Sequence, residues 1–144
     1  MSQADAAQNI VQFFETLSPQ SLTRLGDIYT PDAYFKDPFN EVAGEAAIRQ
    51  IFQHMYVVLE APRFVVTGPV GLGDECFLVW DFMFFFKGKI GNEQTVRGTS
   101  HLKFAADGRI AYHRDYWDAA EELYEKLPVL GAFMRWLKKR AGGK

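Results

Sequence analysis

The hydrophobic period of this chain changes from helical to strand-like near residue 62, and that change limits the fold more than any other feature. Before it, apolar residues recur at helical spacing. Ile10, Phe13, Phe14 and Leu17 stand at i, i+3, i+4 and i+7. Ser18-Pro19 stops this helix. A shorter helix follows, with Leu22, Leu25, Ile28 and Tyr29 on one face. Thr30-Pro31-Asp32 is a turn, Ala33 to Lys36 a short strand, and Gly44 opens a third helix striped by Ile48, Ile51, Phe52 and Met55.

After the change, Phe64 to Thr67, Cys76 to Lys87, Glu93 to Ala105 and Ile110 to Trp117 read as strands. Their connections are turn-like: Gly68-Pro69, Gly71 to Asp74, Lys87 to Asn92, and the hairpin signal Ala106-Asp107-Gly108. Helices first and then a meander of long antiparallel strands predict an α+β fold, with helices on one face of a curved sheet. The chain closes with a two-part helix broken at Pro128. At 144 residues the expectation is one domain over 1–144, with 119–144 a helical extension.

Parity along the second long strand adds a constraint. Trp80, Phe82, Phe84 and Phe86 point one way, and Val79, Asp81, Met83 and Phe85 the other. Both faces are largely apolar, so one should meet the helices and the other a second sheet or subunit, which predicts a homodimer. The competing account covers Met83 and Phe85 with the C-terminal helix of a monomer.

Composition narrows the class. Apolar residues make up 48% and aromatics 15%, with 13 Phe, which fits a globular chain with an apolar pocket. A net charge of −2 argues against a nucleic-acid binder. That charge is uneven: the last ten residues carry five cations and no acid, so the preceding 134 hold a net −7. The single Cys76 cannot form an internal disulfide and fits a reducing cytoplasm. The N-terminus has neither the basic region nor the apolar run of a signal peptide. No apolar run approaches a membrane span. No metal site is expected, because His54, His101 and His113 lack close ligand spacing. Gly68, Gly71 and Gly73 lack the helix start that a phosphate loop requires.

One segment points beyond the fold. Tyr34-Phe35-Lys36-Asp37-Pro38-Phe39, followed by Gly44 to Phe52, places a carboxylate at the end of an apolar strand, beside a proline and ahead of an amphipathic helix. It resembles the segment that carries the general base of ketosteroid isomerases. From about residue 8 to 118 the organisation resembles the nuclear transport factor 2-like superfamily, a cone-shaped α+β barrel in which three N-terminal helices close a cavity. Within it, the chain resembles ketosteroid isomerases and SnoaL-like polyketide cyclases. The resemblance implies Asp37 as a base at an apolar cavity. It also implies that two isomerase donors are missing: Phe13 stands in place of a tyrosine, and Ser100 in place of a protonated aspartate. Losing one such donor costs about 10²–10³ in rate, so steroid isomerisation is not the expected reaction.

Replacements lie on the last strand. His113, Asp115 and Trp117 share a face. A neutral His beside a carboxylate can act as acid or base near pH 7. The catalytic candidates are therefore Asp37, His113 and Asp115. The ligand-binding candidates are Phe13, Tyr56, Trp80, Phe82, Phe84, Ser100 and Trp117. Each acid has a structural alternative: Asp37 as a turn cap, Asp115 paired with Arg97 or Arg114, and Asp118 as the N-cap of the helix after it. The expected function is binding of an apolar, partly oxygenated small molecule, with cofactor-free isomerase, cyclase or hydratase chemistry. A non-catalytic binding or dimerisation module is the alternative. The basic amphipathic terminal helix is expected to pack on its own domain, with an anionic membrane surface as the other reading.

Overall fold

A computed structural model describes residues 3–71, 73–88, 91–123 and 128–142, and in these it lacks side-chain detail for Gln3, residues 128–131 and Met134. Tyr124 and Leu127, which the sequence places on the extension's apolar stripe, lie outside the described residues.

Helix α1 (Gln3–Glu15) buries Ile10, Phe13 and Phe14, as the spacing predicts. Ser18 and Ser21 then cap each other, each backbone N–H donating to the other's hydroxyl, and this fixes the entry to a 3-10 helix, Gln20–Asp27. That helix buries Leu22 and Leu25. Tyr29 does not extend its face. It opens strand β1 (Tyr29–Lys36), because the Ile28 carbonyl accepts from Ile110 N and Tyr29 pairs with Ile110. The short strand β2 (Glu41–Ala43), unforeseen from sequence, folds back on β1. Helix α2 (Glu45–Val58) buries Ile48 and Phe52.

Strands β3 (Leu59–Val70), β4 (Glu75–Phe86), β5 (Gln94–Phe104) and β6 (Ile110–Tyr116) form the meander. The sheet order is β2-β1-β6-β5-β4-β3, antiparallel except for the β1–β6 pair. β2 and β3 stand at opposite ends of this order, so the sheet is curved but unclosed. β3 is three times the expected Phe64 to Thr67, and the expected turn at Gly68-Pro69 lies inside it. An edge strand tolerates Pro62 and Pro69 because only one side needs its N–H groups. The register shifts near both prolines, between Glu60 and Arg63 and between Thr67 and Val70.

The inner face carries Phe64, Val66, Leu78, Trp80 and Phe84 against α1 and α2, with Phe35, Leu102 and His113 beside them. The outer face exposes Val65, Phe77, Val79 and Tyr116. The extension turns onto this outer face. Helix α3 (Ala119–Glu122) sends Glu121 and Glu122 to Arg97 on β5, at 3.0 and 2.6 Å. On helix α4 (Pro128–Ala141) every described side chain is exposed, Phe133 and Leu137 of the apolar stripe included, while the stripe's Leu130 and Met134 side chains lie outside what is described. No helix among the described residues is long and apolar enough to cross a membrane.

Candidate functional site

Four strands bring polar groups to one point beneath the helices. Cross-strand register sets this: Leu78 pairs with Ser100, and Ser100 with Asp115, so the two polar residues share the inner face beside Trp80. His113 lies two residues from Asp115 on that same face and pairs with Phe35 on the other side. Tyr29 reaches it from the start of β1.

These groups form one hydrogen-bonded chain. Tyr29 Oη lies 2.7 Å from His113 Nδ1, and His113 Nε2 lies 2.6 Å from Asp115 Oδ1. Ser100 Oγ donates to the same Oδ1 at 2.5 Å and accepts from Trp80 Nε1 at 2.9 Å. Donor accounting assigns the protons. Burial, and then the charge of Asp115, push the Tyr29 phenol well above its usual range, so it keeps its proton and donates to Nδ1. With Nδ1 accepting, His113 is the Nε2–H tautomer and donates to Asp115 Oδ1. The ring is held further by Tyr29 stacked at 5.9 Å and by Phe35 at 4.7 Å.

The chain borders a cavity of about 30 Å³, walled by Phe14, Phe52, Phe64, Val66, Leu78 and Trp80, with Ser100, His113 and Asp115 at its polar end. That volume holds about two water molecules. A larger ligand requires the aromatic walls to part. Every polar hydrogen at this end is already committed. Asp115 Oδ2, by contrast, accepts from no group among the described residues. The cavity therefore offers an acceptor and no free donor.

The remaining candidates fall elsewhere. Asp37 is not among the residues lining the cavity. Its Oδ1 accepts from Phe39 N, Asn40 N and Asn40 Nδ2 at 2.7–3.1 Å, closing the Asp-Pro-Phe-Asn turn between β1 and β2. Asp-Pro sequences favour such a turn because the side chain replaces a backbone acceptor. Phe13 is turned from the cavity, beneath a polar hollow that includes Asn9, Gln12 and Arg24. Phe82 and Phe84 continue the aromatic row of β4 beyond it. Trp117 packs edge-on against Phe39. The Tyr56 hydroxyl is buried with no partner among the described residues, and burial raises its pKa. Asp118 caps α3 by accepting from Glu121 N at 3.1 Å, and Arg97 is held by α3 rather than by Asp115. Among the described residues no three His, Cys, Asp or Glu side chains are grouped to hold a metal.

Sequence reasoning missed Tyr29, whose place on a helical face hid its role. It also missed Phe14, Phe52, Phe64, Val66 and Leu78 as cavity walls. Their signal was the inward parity of β3 and β4 together with the stripes of α1 and α2.

Helices over a curved, unclosed sheet match the cone-shaped fold of the nuclear transport factor 2-like proteins. The family model described as SnoaL-like domain matches residues 10–113, and the chain belongs to that family. No curated protein matches it. Among solved structures, a nuclear transport factor 2-like protein of unknown function from Burkholderia pseudomallei superposes with a TM-score of 0.70 at 15% identity, covering 84% of this chain and 95% of its own. A hypothetical protein with a ketosteroid isomerase-like fold from Catenulispora acidiphila, in complex with trimethylamine, gives 0.69 at 16% identity, covering 82% and 88%. TerC co-crystallised with polyporic acid gives 0.69 at 16%, covering 83% and 93%. At these identities the likeness establishes the fold alone.

Proposed function

We propose that this protein moves a proton on an apolar, oxygenated small molecule, in an isomerase, cyclase or hydratase step. The observation that carries this reading is Asp115 at the polar end of an aromatic cavity, with Oδ1 held by His113 and Ser100 and Oδ2 accepting from no group among the described residues. In this reading Asp115, rather than Asp37, is the base. Its Oδ1 is fixed by His113 and Ser100, which leaves Oδ2 directed at the ligand. Tyr29 sets the tautomer of His113 and is a positioning residue. Asp37 holds the turn between β1 and β2.

The chemistry follows from the donor accounting. An acidic C–H next to a carbonyl gives its proton to Oδ2, and the electron pair moves to the carbonyl oxygen. Neutralising Asp115 weakens its hold on the Ser100 hydroxyl, which then turns to the new oxyanion. Small-molecule complexes of fold relatives, with trimethylamine and with polyporic acid, support a ligand in this cavity. The exposed apolar outer face supports a homodimer.

The test is exchange of α-protons of lipophilic ketones in D₂O, followed by NMR. Wild type should label at least one ketone. Asp115→Asn should slow that labelling by about 10²–10⁴, whereas Asp37→Asn should retain it. Labelling that survives Asp115→Asn overturns the assignment. The small cavity volume favours one second reading, a non-catalytic binding module, in which ligands bind but no ketone exchanges.

A further inference from the structure

Helix α4 carries an amphipathic pattern whose described apolar side chains are exposed. Phe133, Trp136 and Leu137 fall on one arc of the helix, and Arg135, Lys138 and Lys139 on the other. Phe133 and Trp136 are each 53% exposed and Leu137 39%. The two rings stack on each other at 6.1 Å, and the Arg140 guanidinium lies over Trp136 at 5.4 Å. This is an aromatic face rimmed by cations.

We propose that α4 lies flat on an anionic phospholipid surface, with Phe133, Trp136 and Leu137 in the acyl boundary. Charge identifies the surface. The last ten residues hold five cations and no acid, while the other 134 residues carry a net −7. An anionic bilayer attracts this helix and repels the rest, so contact is confined to α4. Side-chain chemistry agrees. Trp and Arg are suited to the boundary between headgroups and acyl chains, and Lys stems reach along apolar surface to water. The helix's 14 residues span roughly 21 Å, too short to cross a bilayer but long enough to lie along one.

The test is co-sedimentation of the full chain with vesicles of phosphatidylcholine containing phosphatidylglycerol, against pure phosphatidylcholine. The anionic vesicles should bind about tenfold or more tightly, and added salt should weaken that preference. Lys138→Glu/Lys139→Glu should reduce binding to the level of neutral vesicles. Phe133→Ser/Trp136→Ser should weaken it by about tenfold or more. Thermal melts of both variants check that a loss of binding is not a loss of fold. Equal binding to the two vesicles, or wild-type binding by both variants, overturns the proposal. So does a chain that ignores vesicles and binds an acidic polypeptide such as polyglutamate.

Discussion

Gly98→Ala is expected to disturb the cavity through a residue that forms none of its hydrogen bonds. A Cβ at this position would stand 2.3 Å from Trp80 Cη2, 2.6 Å from Cζ2 and 2.7 Å from Cζ3. Real side chains essentially never approach this closely, so the indole must move. Forcing one carbon into a packed core costs about 1–3 kcal/mol. Moving Trp80 also breaks its bond to Ser100, and a buried indole N–H left without a partner costs about 1–3 kcal/mol more. The sum is about 2–6 kcal/mol, and for a chain of this length each kcal/mol lowers Tm by about 2–4 °C. Thermal melts followed by circular dichroism should therefore show a fall of at least about 4 °C, with a changed near-ultraviolet aromatic signal. Combining Gly98→Ala with Trp80→Leu tests the cause, because a shorter side chain relieves the clash and the two effects should not add. An unchanged melt for Gly98→Ala, or strict additivity in the double variant, would refute the packing argument.

Three further outcomes follow from the same geometry. Tyr29→Phe removes the donor to His113 Nδ1, which should destabilise the fold by about 1–3 kcal/mol and shift the His113 ring ¹⁵N resonances; unchanged resonances would contradict the tautomer assignment. Asp37→Ala deletes the acceptor of the β1–β2 turn and should cost about 1–2 kcal/mol in chemical denaturation, while those His113 resonances stay in place. Stability should fall as pH rises above 9, because burial pushes the Cys76 thiol up to about 11: the folded state then holds a proton that the unfolded chain releases. Cys76→Ala should flatten that alkaline decline, and an identical pH profile would exclude the thiol as its source.

The fold was legible because its signals are periodic. The stripe of α1, the stripe of α2 and the parity of β4 each encode one buried face, and together they give helices on a sheet. Single residues at element ends were less legible. Tyr29 continues a helical spacing, but pairing with Ile110 draws it into a strand, and no local signal records a partner 81 residues away. β3 was read short because Pro62 and Pro69 suggest interruption, and only its edge position makes them tolerable. His113 and Asp115 were legible as a pair because alternation on one strand fixes their common face. Asp37 was read through resemblance, which gives a residue's place in the chain but not the hydrogen bonds that its carboxylate makes.

The most direct test of the account is a crystal structure of the protein soaked with lipophilic ketones. The account predicts density between Phe14, Phe52, Phe64 and Trp80, with the ligand's acidic carbon or a hydroxyl facing Asp115 Oδ2. A ligand seated instead against Asp37, or a cavity that stays closed at saturating ketone, would contradict it.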